Sequence, residues 1–129
     1  MIDFATLTRP GTPNTYLLAP EGACGQAVPD GPAPVFGAQP DAVFAALRDA
    51  VAAMPRVSDV EADEGRRALS FVQRTALMRF KDDVDAMVVS QGGGAALIVY
   101  SRSRVGHSDL GANEKRVEAL VAAVRERVS

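Results

Sequence analysis

Between Gln39 and Pro55 apolar side chains return every three or four residues. Val43, Phe44, Leu47, Ala50, Val51 and Met54 form one stripe, and Arg48 and Asp49 fall outside it. That period predicts an amphipathic helix. Pro40 suits its first turn, Asp41 complements the positive end of its dipole, and Pro55 stops it. A second stripe, Val117, Leu120, Val121, Val124 and Val128, predicts a C-terminal helix. Asn113 is its candidate N-cap, Glu114 lies in its first turn, and Arg125 and Arg127 sit near its negative end. Between the helices the alternation shortens to two, which predicts strands over Val57–Ala62, Ala68–Thr75, Asp82–Ser90 and Ala95–Val105. Asp63-Glu64-Gly65 reads as a turn and Gln91-Gly92-Gly93-Gly94 as a flexible hairpin connection.

The start of the chain has no such period. Pro10, Pro13, Pro20, Pro29, Pro32, Pro34 and Pro40 crowd the first forty residues. Each removes a backbone donor and biases its predecessor to extended geometry. Residues 1–34 are therefore expected to form an extended Pro/Gly-rich arm laid over one domain spanning 35–129, with Asn14–Ala19 a short edge strand bearing Tyr16 and Leu18 on one side. The order strand, helix, four strands, helix predicts an α+β two-layer sandwich. Its antiparallel sheet would have four to five strands, with both helices covering one face.

Strand parity extends the reading to individual pairs. If Ser90 pairs with Ala95, then Met87 faces Ile98, Asp85 faces Tyr100 and Asp83 faces Arg102. Val84, Ala86, Val88, Leu97 and Val99 become the core face. The opposite face, expected to be open, carries Asp83, Asp85, Tyr100, Arg102 and Arg104, with Lys81, Ser70 and Arg74 beside them. Two readings of that face stand. Opposite charges across an antiparallel pair fix register and contribute roughly 0.2–1 kcal/mol. Alternatively, the arginines anchor an anionic or amphiphilic ligand.

Composition narrows the function classes. The 129 residues carry 14 Lys+Arg against 16 Asp+Glu, a net charge of −2, and no Trp. A dedicated nucleic-acid binder would show a basic excess and stacking aromatics, so no nucleic-acid partner is expected. Cys24 stands alone and no Cys/His cluster has metal-ligand spacing, so no disulfide, metal or cofactor is expected. The acidic set Asp82, Asp83, Asp85 and Asp109 does not fit a calcium loop. The glycine run joins strand to strand, which is not the setting of a phosphate-cradling loop. Ser108, His107 and Asp109 are too close in sequence for a catalytic triad. Ser108 and Asp109 are expected to bond backbone amides at the start of the last helix, and His107 is left as a candidate ligand-binding or pH-sensitive group.

No apolar run approaches the ~18 residues of a membrane span, so no transmembrane segment is expected in this chain. A Pro/Gly-rich start also fits a chain whose N-terminal anchor has been removed. On that reading the protein lies on the envelope or periplasmic side, whereas a native start at Met1 makes it cytoplasmic.

Two stretches resemble a known family. Phe80-Lys81-Asp82-Asp83-Val84-Asp85 is followed, after the hairpin, by Ser101-Arg102-Ser103-Arg104-Val105-Gly106-His107-Ser108-Asp109-Leu110-Gly111-Ala112-Asn113-Glu114-Lys115-Arg116-Val117-Glu118. Together they are similar to the bacterial and plastid family known as domain of unknown function 1499, over residues 70–125, with Pro13-Asn14 echoing a family pair near the start. Matching motif positions are Asp82, Asp83, Arg104, Gly106, Ser108, Asp109, Gly111, Asn113 and Arg116. His107 stands where an aromatic is usual, Glu114 where a basic residue is common, Asp85 where Glu is common and Thr15 where many relatives carry Cys. The resemblance implies no established activity. It implies an envelope location if an N-terminal anchor has been removed from this chain, because relatives often carry an N-terminal membrane or export segment. Arg104 and Arg116 are placed to reach Asp82 or Asp109 and tie the last helix to the hairpin.

The function these observations favour is a non-catalytic binding or accessory module of the cell envelope that uses the charged sheet face. The ligand would be small and anionic or amphiphilic, or the partner another protein. Asp82, Asp83, Asp85, Tyr100, Arg102, Arg104, His107, Asp109 and Arg116 are the candidate binding residues. The alternatives are a small enzyme with an Asp/Arg/His site near the end of the hairpin, and a structural or oligomeric protein pairing through edge strands.

Overall fold

The protein is described by a computed structural model over residues 1–106 and 108–128. A 3-10 turn at Phe4–Thr6 precedes β1 (Thr15–Leu18), β2 (Val35–Phe36) and α1 (Pro40–Ala52). β3 (Val57–Asp63), β4 (Ala68–Arg74), β5 (Lys81–Gln91) and β6 (Gly94–Ser103) follow, and α2 (Ala112–Arg127) closes the chain. The strands form one antiparallel sheet in the order β1-β6-β5-β4-β3, with the two-residue β2 also paired to β6. The architecture is the expected α+β arrangement, and β2 is the strand that the period did not mark.

The central hairpin takes the register that parity required: Ser90 opposite Ala95, Met87 opposite Ile98, Asp85 opposite Tyr100 and Asp83 opposite Arg102. Its loop is shorter than expected, just Gly92 and Gly93, because Gly94 already belongs to β6 and pairs with Gln91. Only glycine fits there: a Cβ on Gly94 would overlap the Phe36 carbonyl oxygen of β2. β3 is the far edge of the sheet, and a register shift between Ser58 and Glu61, with Asp59 at φ 55°, bends it away from regular pairing.

Helix α1 starts with Pro40 at its first turn, and α1 and α2 both cover the same sheet face. Val43, Phe44, Leu47, Ala50 and Val51 of α1 and Val117, Leu120 and Val124 of α2 meet Leu69, Phe71, Val84, Ala86, Val88, Leu97 and Val99 of the sheet. Tyr16 and Leu18 join this layer from β1.

The second face is not open as expected. Phe4, Leu7, Leu17, Ala19 and Cys24 pack over Ile98 and Tyr100 in a separate apolar cluster, and Tyr100 keeps only 3% of its surface. The arm is held there by polar ties. Arg9 donates to Asp30 at 2.7 Å, the same Asp30 carboxylate accepts the Leu17 N–H at 2.8 Å, and the Asp30 N–H returns a bond to Leu17. Asp85, only 2% exposed, accepts from Arg102 at 2.7 Å and from the Ile2 N–H at 3.0 Å. A carboxylate tolerates such burial only with this kind of compensation.

The Gly94 contact yields a direct test. Gly94→Ala should cost on the order of 2–3 kcal/mol in urea denaturation, because backbone rather than a flexible side chain blocks the new methyl. Gly93→Ala, which meets nothing within 4 Å, should change stability by less than about 1 kcal/mol. Equal effects would refute the β2–β6 approach.

Candidate functional site

Parity divides the expected binding residues between the two sheet faces. Asp83, Asp85, Tyr100, Arg102 and Arg104 lie on the arm side, whereas Asp82 points under α2. On the arm side the ion pairs run diagonally rather than straight across. Arg102 reaches Asp85, and Arg104 grips both oxygens of Asp83 at 2.8 Å. The Arg104 guanidinium holds the Asp83 carboxyl below its ordinary range, while burial pushes the Tyr100 phenol up. The Arg102 guanidinium also lies over the Tyr100 ring, 4.9 Å from its centre. The arginines proposed as ligand anchors are therefore already engaged by the chain itself. Arg104 does not reach Asp82 or Asp109; of the two arginines it is Arg116 that links α2 to the hairpin.

The helix side of the same sheet end is a buried polar network. Arg116 donates to Gln73 of β4 at 2.6 Å, to Asp82 of β5 at 2.7 Å, to Ser101 of β6 at 3.1 Å and to Asn113 at 2.8 Å. Asn113 has no solvent exposure: its oxygen accepts from Ser101 at 2.6 Å, and its amide donates to the Asn14 carbonyl, Ser103 and Asp109. Asn14 in turn donates to the Gly106 carbonyl at 2.8 Å. Five segments of the chain thus converge on two side chains of α2.

Asn113 is therefore not the N-cap that its residue type suggested. The helix begins at Ala112, with Gly111 at the cap position in a left-handed conformation (φ 81°), which turns Asn113 inward. The capping acceptor is Asp109, whose carboxylate takes the N–H groups of Gly111 at 2.9 Å and Asn113 at 3.1 Å. Ser108 accepts from the Leu110 N–H at 3.4 Å, so both residues serve the helix start as expected. Burial pushes the Asp109 carboxyl up, but the side-chain and backbone N–H groups of Asn113 and that of Gly111 outweigh it and leave the group below its ordinary range.

Beside this network opens a cleft of about 630 Å³, within the size range of small-molecule sites. Its walls are the β4–β5 loop and the β6–α2 loop. Thr75, Asp82, Ser103, Asp109 and Ala112 line its inner part; Leu77, Met78, Phe80, Val105 and Leu110 surround it. The β4–β5 loop is tied at Thr75, whose hydroxyl accepts the Phe80 N–H and whose N–H donates to the Phe80 carbonyl. Leu110 adopts φ 53°, a conformation that costs a branched side chain roughly 1–2 kcal/mol.

Asp82 is the chemically notable member. It is 1% exposed, its Oδ2 is bound by Arg116, and its Oδ1 has no hydrogen-bond partner among the described residues. A buried carboxylate oxygen left in that state is costly. The cleft thus unites Asp82 and Asp109, with Arg116 behind them. His107 lies outside the described residues. Among those residues no cluster of His, Cys, Asp or Glu could hold a metal, and no helix is long and apolar enough to cross a membrane.

The sequence model described as protein of unknown function (DUF1499) matches residues 7–124 of the 129. The chain belongs to the DUF1499 family. Among curated proteins none matches it. The matched stretch takes in β1 and Asn14 as well as the two motifs, so the polar network of this DUF1499 protein lies wholly inside it. Gln73, Ser101 and Asn14 were not marked as site residues by sequence reasoning. The Pro13-Asn14 echo and the paired Ser101 and Ser103 were the signals available for two of them.

Two outcomes follow for stability. Arg116→Met should lose about 3–5 kcal/mol in urea denaturation by stranding the Asp82 charge. Adding Asp82→Asn should return a substantial part of that loss; no recovery would contradict a charge-compensating role. The second concerns acid. Because Asp83 and Asp109 titrate below their ordinary values, their contribution is full above about pH 4 and disappears as pH falls through the lowered folded values. Asp109→Asn should flatten the loss of stability below pH 4, measured as Tm against pH. An unchanged slope would count against Asp109 as an acid-sensitive cap.

Proposed function

We propose that this protein is a binding module for an amphiphilic small molecule, and that the site is the cleft between the β4–β5 and β6–α2 loops rather than the charged sheet face. The observation that carries the reading is Asp82: its Oδ1 is a buried acceptor without a partner among the described residues, and the residue belongs to the wall of a largely apolar cleft. An apolar body would occupy the space between Leu77, Phe80, Val105 and Leu110. A head group bearing O–H or N–H would donate to Asp82. The two carboxylates, Asp82 and Asp109, disfavour an anionic head, so neutral hydroxyl or amide heads and protonated amine heads are selected. The envelope location belongs to the same proposal and rests on the family resemblance.

A catalytic reading draws on the same carboxylates, since a cleft containing Asp82 supplies a candidate proton acceptor. Against it, Arg116 is committed by four hydrogen bonds behind the cleft and does not line it, so its cation is a positioning group for Asp82.

Thermal-shift and calorimetric titration with matched series of alkyl alcohols, alkylamines and fatty acids tests the proposal. Alcohols and amines should stabilise the protein, increasingly with chain length, and fatty acids should not. Asp82→Asn should weaken the best ligand by about 10-fold, and Ala112→Phe, which fills the cleft, should abolish binding without unfolding the chain. Absence of stabilisation across all three series, or binding unchanged by Ala112→Phe, would refute it.

A further inference from the structure

We infer that the rim of the cleft is a docking edge for an anionic lipid bilayer. Nine large apolar residues are exposed among the described residues, and five of them, Leu77, Met78, Phe80, Val105 and Leu110, surround this one opening. Leu77 and Leu110 are almost wholly in solvent, at 88% and 89% exposure. A cluster of exposed apolar side chains marks a place where something other than water is met.

Charge says what that is. Arg74 and Lys81 are direct cross-strand partners at the base of the β4–β5 loop, and like charges in that position repel. Arg79 adds a third cation on the loop itself, in a left-handed conformation at φ 61°. Among the described residues none of the three enters an ion pair. Of the acids on β5 and in the β6–α2 loop, Asp82 is bound to Arg116, Asp83 to Arg104, and Asp109 to the start of α2. Apolar tips on a loop that also carries unpaired cations, with two of them on the arm-facing side of its base, match the headgroup and acyl layers of an anionic membrane. A rigid protein partner fits less well. The apolar residues ring an opening rather than form a flat patch, so a solid surface would cap the cleft, whereas a bilayer admits each tip separately and leaves the mouth facing lipid.

The chain's net charge of −2 makes this attraction local, so it should be strongly salt-dependent. Docking does not rest on the cleft being a ligand site. If the cleft takes amphiphiles, docking places its mouth at their source.

Vesicle co-sedimentation of the 129-residue chain tests the inference. The protein should sediment with vesicles of phosphatidylcholine containing about 30 mol% phosphatidylglycerol, and little with phosphatidylcholine alone. Raising salt to roughly 0.5 M should release it. Leu77→Asp with Leu110→Asp, at positions too exposed to matter for folding, should reduce partitioning at least about 10-fold. Arg79→Glu with Lys81→Glu should remove the preference for anionic vesicles. Ala112→Phe should still dock, which separates failure of the ligand reading from failure of this one. Protein left in the supernatant with both vesicles at low salt would overturn the inference, as would equal binding to neutral and anionic vesicles. A double-leucine variant that sediments like the parent, or whose main change is loss of self-association, would also overturn it.

Discussion

Arg116 holds a buried cation against Asp82 while also bonding Gln73, Ser101 and Asn113, and the end of the molecule is organised around satisfying that group. A guanidinium beneath a helix is tolerable only when its donors find acceptors of fixed geometry. Three strands supply them, so β4, β5 and β6 must hold their register to within one residue. The same demand fixes α2. Asn113 has to face the sheet beside Arg116, so the helix starts two residues earlier than its composition suggests, and Asp109 replaces Asn113 as the capping acceptor. Stability and site geometry are therefore one problem here: what holds α2 down also presents Asp82 to the cleft.

Consecutive acids on β5 show how much depends on parity. Asp82 and Asp83 are neighbours in sequence, yet one goes to Arg116 under the helix and the other to Arg104 on the opposite face. Asp85 shares the face of Asp83 but lies deeper, where Arg102 and the Ile2 N–H compensate it. Three similar side chains thus acquire three different roles: cleft wall, surface ion pair and anchor for the arm. A one-residue slip would exchange them and bury charges without partners.

Much of this was legible beforehand, and the misses have physical causes. Helical and strand periods located both helices and four strands, and alternation around the glycine turn gave the hairpin register pair by pair, because those are local constraints. The covering of Tyr100 was not legible. Period 2 states which face a residue takes, not what lies above that face, and the proline-rich residues 1–34 have no period from which Phe4, Leu7 or Cys24 could be assigned to a core. Asn113 was misread because intrinsic preference favours Asn at an N-cap, while a buried network overrode it. Diagonal ion pairing escaped for a similar reason: arginine is long enough to reach the next pair along. The β4–β5 loop offered one unused signal, the run Ala76-Leu77-Met78-Arg79-Phe80, too apolar for an idle turn.

That loop and the one facing it depart furthest from what folding alone would favour. Leu110 and Arg79 occupy left-handed backbone, Arg74 opposes Lys81, Leu77 and Leu110 stand in water, and Asp82 keeps an unmatched buried oxygen. Each feature carries a cost; single costs of the same kind occur elsewhere, in the left-handed backbone of Arg56, Asp59 and Arg67 and the unpartnered Ser58 hydroxyl, but around this cleft several kinds coincide. Local costs gathered in one place, around one cleft, are the expected mark of a site selected for what it meets rather than for the stability of the fold. The polar network behind the cleft makes this arrangement sustainable, since a rigidly held α2 and hairpin let two strained loops project without unravelling the sheet that carries them.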